Sequence, residues 1–142
     1  MQIIDGNILD VDYGVVMHQV NCRRVMGAGV AKQLRAKYPQ HYQEYLATQP
    51  ILGHILPTRI HGDLYIVGLY AQDGFGRDRV YTDYQALAEC LTRVARKGDR
   101  LPLYAPYKIG CANAGGNWER VQRTFDMILP TVTFVRMKGG YR

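Results

Sequence analysis

Residues 17–34 read MHQVNCRRVMGAGVAKQL, and the fold turns on how that run is divided. Its first four residues continue an apolar segment that begins at Gly14 and reads as a buried strand. Its last residues, from the Gly27-Ala28-Gly29 turn onward, place Val30, Leu34 and Tyr38 at helical spacing. Between them sit His18, Gln19, Asn21, Cys22, Arg23 and Arg24. A strand that passes through a polar, glycine-bearing turn into a helix is how α/β sheets present a ligand site, beyond the carboxyl end of the strand.

The same alternation runs outward in both directions. MQII precedes as a strand, and Pro39 breaks the first helix and opens a second through QHYQEYLAT. HILPTRI and LYIVGLY read as strands joined by an HGD hairpin turn. After the polar loop AQDGFGRDR, Thr82 and Gln85 stand at capping-box spacing before a helix whose apolar stripe is Tyr84, Leu87, Ala88, Leu91, Val94 and Ala95, with Gly98 just past its end. LPLYA is a short strand, PYKIGCANAGG a second glycine-rich loop, and Asn117 caps a last helix facing inward through Trp118, Val121, Phe125 and Ile128. TVTFVRM closes the chain as a β-branched strand. Several strands lack a polar face, so the pattern predicts an α/β fold, a central sheet with helices on both sides.

Residues 1–142 are read as one domain, since no linker, repeat or low-complexity tract interrupts them. No apolar run approaches a membrane span and no leader pattern is seen, so no membrane association is expected. The three cysteines form no CxxC pair and have no histidine at metal spacing, which points to a reducing, cytoplasmic setting with neither metal nor cofactor. The net charge of +6 suits an anionic partner, and a purely solubilising surface charge is the other reading. Nucleic acid ranks last as that partner, because the chain has no aromatic-basic stripe.

Two loops qualify as a site, Asn21 to Val30 and Ala105 to Asn117. Each brings backbone N–H groups to a helix start, where the dipole favours an anion, and together they could enclose a diphosphate. Neither is a dinucleotide or P-loop fingerprint, which disfavours hydride transfer and ATP hydrolysis. Asn21 can turn its amide to a ligand hydroxyl or fasten its own turn. Regular pleating puts His18 and Asn21 on opposite faces, so His18 is either a packed core histidine or, if the strand end bulges, a base. Gln72 and Asp73 follow another strand and could reach the same cleft. Cys22 and Cys111 are read as packing residues, with a Cys–His pair assembled in three dimensions left open.

At these loops the sequence resembles a macrodomain, the ADP-ribose-binding family. DGNI at Asp5 to Ile8 is similar to the family's Gly-Asp-Ile. QVNC followed by GAGVA resembles Asn-Ala-Ala-Asn followed by Gly-Gly-Gly-Val-Ala. YKIGCANAGGNW resembles the second phosphate loop in an Ile-Gly-Cys-Gly form. That form belongs to a branch with the yeast-type ADP-ribose-1″-phosphate phosphatases, the terminal ADP-ribose protein glycohydrolases, and bacterial and phage proteins, whose members AQDGFGR and YTDYQAL also resemble.

The resemblance implies a three-layer α/β/α sandwich with a central mixed sheet. It places Asn7 and Ile8 on the adenine side, Asn7 standing where the family has aspartate. It puts Asn21 at the distal ribose, Gly27, Ala28, Gly29 and Val30 in the first phosphate loop, and Gly110, Cys111, Ala112 and Asn113 in the second. Tyr141 would stack on adenine.

The lysine and aspartate of the glycohydrolase mechanism would fall near Ala71 or Gln72 and at Ala114, so that mechanism is not expected. The expected activity is removal of the 1″-phosphate from ADP-ribose-1″-phosphate or a related derivative, with Asn21 positioning water and His18, or else Asp73, as base. The alternatives are a module that only binds ADP-ribose or an ADP-ribosylated protein, and a de-ADP-ribosylating hydrolase without the lysine.

Overall fold

The computed structural model describes residues 1–98 and 100–139. Six strands, β1 (Gln2–Asp5), β2 (Gly14–Asn21), β3 (Ile55–His61), β4 (Leu64–Gln72), β5 (Leu103–Pro106) and β6 (Thr133–Arg136), form one sheet in the order β1-β6-β5-β2-β4-β3. All neighbours are parallel except β3 and β4, the antiparallel hairpin, so the sheet is mixed.

Helices cover both faces because consecutive strand residues point to opposite sides. Met17 and Val67 join Leu87 and Leu91 of α3 (Tyr84–Arg96) and Val121 and Phe125 of α4 (Trp118–Ile128). Their neighbours Val16 and Ile66 pack with Leu34 of α1 (Gly29–Lys37), and Val20 packs with Tyr45 of α2 (Pro39–Ala47). The three-layer sandwich is therefore as the sequence implied.

Two details of α3 differ from the sequence reading. Its cap is Asp83, whose carboxylate accepts from the Ala86 N–H, and no Thr82–Gln85 capping box forms. The Thr82 hydroxyl is engaged elsewhere, donating to the Gly110 carbonyl, while the Gln85 amide donates to Glu89. The buried stripe takes in Ala86 and Cys90 rather than Ala88 and Ala95. Asn117 does cap α4, accepting from the Arg120 N–H.

One irregularity shapes the site. Val20 pairs with Tyr70 but Asn21 pairs with Gln72, leaving Ala71 as an extra residue on β4. Such a bulge re-aims the side chains beyond it. Here it falls between Val20 and Asn21, beyond His18 and Gln19 and at the carboxyl end of the strand pair.

Candidate functional site

At the carboxyl ends of the parallel strands β2, β4, β5 and β6 a cleft of about 740 Å³ opens between two loops. Gly27, Ala28, Gly29 and Val30 line one wall, and Gly110, Cys111, Ala112 and Asn113 line the other. The structure thus brings the two loops singled out in the sequence to face each other.

The first wall is built on Asn21. Its Oδ1 accepts from the Arg23 N–H at 2.6 Å and its Nδ2 donates to the Val25 carbonyl at 3.0 Å, so the amide fastens the turn that it opens. Asn21 also lines the cleft, while its amide holds the turn as one of the two sequence readings had it. Tyr45 braces the same turn from α2: its phenol donates to the Asn21 carbonyl and accepts from the Val25 N–H. Burial pushes that phenol up to about 12, which keeps the donor protonated. The chain then enters α1 through Ala28, an N-cap with no side-chain hydrogen bond, so that residue gives the first N–H groups of the helix no cap.

The second wall is folded by its own backbone. Ile109 N–H donates to Pro106 O, Cys111 N–H to Lys108 O and Gly116 N–H to Gly110 O. Gly110 has φ 78°, and a Cβ there would stand 2.8 Å from Gln19 Oε1, so the position accepts only glycine without rearrangement. Beneath the walls runs a chain of amides and a hydroxyl. Gln72 Nε2 donates to Gly74 O, and Gln72 Oε1 accepts from Gln19 Nε2 at 2.7 Å. Gln19 Nε2 also donates to Thr82 Oγ1 at 2.9 Å, and that hydroxyl donates to Gly110 O at 2.7 Å. The floor is therefore neutral, and its hydrogen bonds tie β2 and β4 to the second wall.

His18 is not in this cleft. It is fully buried on the α2 side of the sheet, with Nε2 2.8 Å from His41 Nε2. The tautomers follow from the end of the chain of bonds. Glu44 accepts from the Thr58 hydroxyl, so Thr58 accepts from His41 Nδ1, His41 Nε2 is the acceptor, and His18 Nε2–H is the donor. The lone pair on His18 Nδ1 is left buried without a partner. Desolvation holds His18 well below the usual imidazole range, with the His41 charge as a lesser cause, and burial lowers His41 to about 4. The bulge that could have turned His18 toward Asn21 lies beyond it, so the expected base is instead a core histidine.

Asp73, the second candidate base, pairs with Arg23 at 2.6 Å on the exposed rim and does not line the cleft. Among the described residues that do line it, none is His, Asp or Glu, and the charged ones are Lys108 and Arg136. Cys111 lines the cleft, but burial raises its thiol to about 11, which suits the packing reading. At the positions where a glycohydrolase would carry its lysine and aspartate, Ala71 and Ala114 are buried and Gln72 lies in the amide floor.

Asn7 and Ile8 lie outside the main cleft. Asn7 caps a 3₁₀ turn over Ile8–Asp10, accepting from the Leu9 N–H, and Ile8 is buried. Asn7 lines a neighbouring depression of about 590 Å³, and Arg136 and Met137 line both spaces. Tyr141 lies outside the described residues. Phe75, Arg136 and Met137 line the cleft from outside the two loops that the sequence singled out. Phe75 alone carried a signal, an aromatic residue set between two glycines in a polar loop.

No protein-family model and no curated protein matches the chain. Solved structures do. A protein of unknown function from Bacteroides thetaiotaomicron aligns with TM-score 0.83 and 25% identity over 96% of this chain and 97% of that one. A macrodomain protein from Streptomyces coelicolor aligns with TM-score 0.78 and 21% identity over 98% and 99%. Thermosipho africanus DarTG, solved in complex with ADP-ribose, aligns with TM-score 0.75 and 13% identity over 96% of this chain and 42% of that one. The chain has the macrodomain fold.

Proposed function

We propose that the protein binds ADP-ribose, free or attached to a protein. The diphosphate lies between the start of α1 and the Gly110–Asn113 loop, the adenine toward Asn7 and Arg136, and the distal ribose toward Asn21. The observation that carries this reading is the pair of glycine loops facing across one cleft whose described lining residues include no carboxylate. A doubly anionic linker gains from backbone donors and from Lys108 and meets no carboxylate among the described lining residues, while Arg136 is held by Asp5 at 2.8 Å. A fold shared with a structure solved with ADP-ribose supports the same ligand.

A second reading is hydrolysis of ADP-ribose-1″-phosphate. The same lining favours it, since a further phosphate near Asn21 and Asn113 would meet no carboxylate repulsion. With His18 buried and Asp73 paired at the rim, neither expected base reaches that position, so binding without turnover is the better supported activity. Titration calorimetry with ADP-ribose at low and high salt tests the first reading. One-to-one binding that weakens only modestly with salt is expected, and no heat, or a steep salt dependence of the nucleic-acid kind, would overturn it. Phosphate release from ADP-ribose-1″-phosphate tests the second. Release that is lost in Asn21→Ala and kept in His18→Gln would establish turnover without the histidine, and no release above background would leave the binding module.

A further inference from the structure

Thr82 leaves the cap of α3 to Asp83, and its hydroxyl is bound to the second wall instead. The residue is 5% exposed and does not itself line the cleft. Its backbone is tied on two sides: it bridges to Gln72 of β4, and its N–H donates to the Ala114 carbonyl at 3.0 Å. The hydroxyl is wedged between two glycines of the wall, for a Cβ on Gly110 would stand 3.2 Å from Oγ1 and one on Gly116 3.1 Å.

That hydroxyl has a single proton, and the amide floor decides where it goes. Gln72 gives its N–H to the Gly74 carbonyl and presents Oε1 to Gln19. Gln19 therefore reaches Thr82 through Nε2, which can only donate. The Thr82 proton is left for the Gly110 carbonyl at 2.7 Å, and the same oxygen accepts from the Gly116 N–H at 2.8 Å. Two donors occupy both lone pairs of that oxygen. It is thereby turned to a buried residue outside the cleft lining, although Gly110 itself lines the cleft. Just beyond it, the N–H groups of Ala112 and Asn113 take no partner among the described residues. Without the hydroxyl, the peptide after Gly110 has one tether fewer, beside a residue with no Cβ to resist its rotation. A carbonyl oxygen rotated into the cleft repels the anion that the following N–H groups attract.

We infer that Thr82 is a positioning residue for the anionic part of the ligand: directed by Gln19, its hydroxyl holds the Gly110 carbonyl out of the cleft and leaves the neighbouring N–H groups to the ligand. The inference rests on the ADP-ribose reading above for the identity of that ligand. It holds whichever way the ligand lies along the cleft.

The experiment measures dissociation constants for ADP-ribose, and urea midpoints, for wild type, Thr82→Val, Thr82→Ala and Thr82→Ser. Both hydroxyl-free variants are expected to bind about tenfold more weakly in buffer without denaturant, whereas Thr82→Ser binds as wild type although it too loses the methyl. In ligand-free protein, the amide resonances of Ala112 and Asn113 should shift in Thr82→Val and return in Thr82→Ser. Folded hydroxyl-free variants that bind as wild type, a Thr82→Ser as weak as they are, or resonances that stay in place would overturn the role of Thr82 and leave the ADP-ribose reading standing. Wild type that binds no ADP-ribose would overturn both.

Discussion

Acid should loosen this protein through a pair of histidines that the cleft does not use. In the fold, His18 and His41 are held neutral by burial, His41 titrating at about 4 in place of 6.5, and His18 shifted in the same direction. Unfolding returns both to ordinary values, so between about pH 6.5 and 4 the unfolded chain binds more protons than the folded one. Stability is therefore full above about pH 6.5 and is lost as pH falls through the window. At about pH 5, His41 alone accounts for a loss on the order of 2 kcal/mol relative to neutral pH, and His18 adds to it. With a urea m-value of about 2 kcal/mol per molar, the midpoint should drop by about 1 M between pH 7.5 and 5. Urea titrations followed by tryptophan fluorescence read this directly, since Trp118 sits edge-on against the buried Phe134. His41→Gln removes one titrating group and should flatten the dependence. A wild-type midpoint that does not move, or a His41→Gln drop as large as the wild-type one, would refute the reasoning.

Other consequences follow from the two walls. Tyr45→Phe removes the hydroxyl that joins Asn21 and Val25 and should lower stability by about 1–3 kcal/mol with weaker ADP-ribose binding, checked by denaturation and calorimetry. Gly29 has φ 59° and no atom within 4 Å of where a Cβ would stand, so Gly29→Ala should cost about 1 kcal/mol from backbone strain alone, with Gly29→Asn costing less. Cys111, with its thiol raised to about 11, should react slowly with Ellman's reagent near neutral pH and more slowly still when ADP-ribose covers the cleft.

The architecture was legible because it depends on local pattern. Val121 and Phe125 mark the inward face of α4 by spacing, Asn117 marks its start, and Pro39 separates two helices where it stands. Glycine loops at strand ends announced the walls for the same reason. What the sequence hid depends on partners distant along the chain. Nothing near His18 announces His41, which lies 23 residues away and reaches it only because α2 folds back over β2. Thr82 looked like a helix cap because the spacing to Gln85 fits, yet a carbonyl 28 residues on takes its hydroxyl. The bulge at Ala71 could not be read either, since register is a property of two strands and not of one.

Ala28 occupies a position where serine, aspartate or asparagine would steady α1 by about 1 kcal/mol, and it offers no oxygen to do so. A side chain of that kind would satisfy the N–H groups from within and stand where a phosphate oxygen is proposed to lie. Ala28→Ser should therefore melt at a higher temperature and hold ADP-ribose less tightly, gain and loss arising from the same donors. On this reading the helix takes its cap from outside the polypeptide, and residue 28 serves the cleft by what its side chain leaves undone.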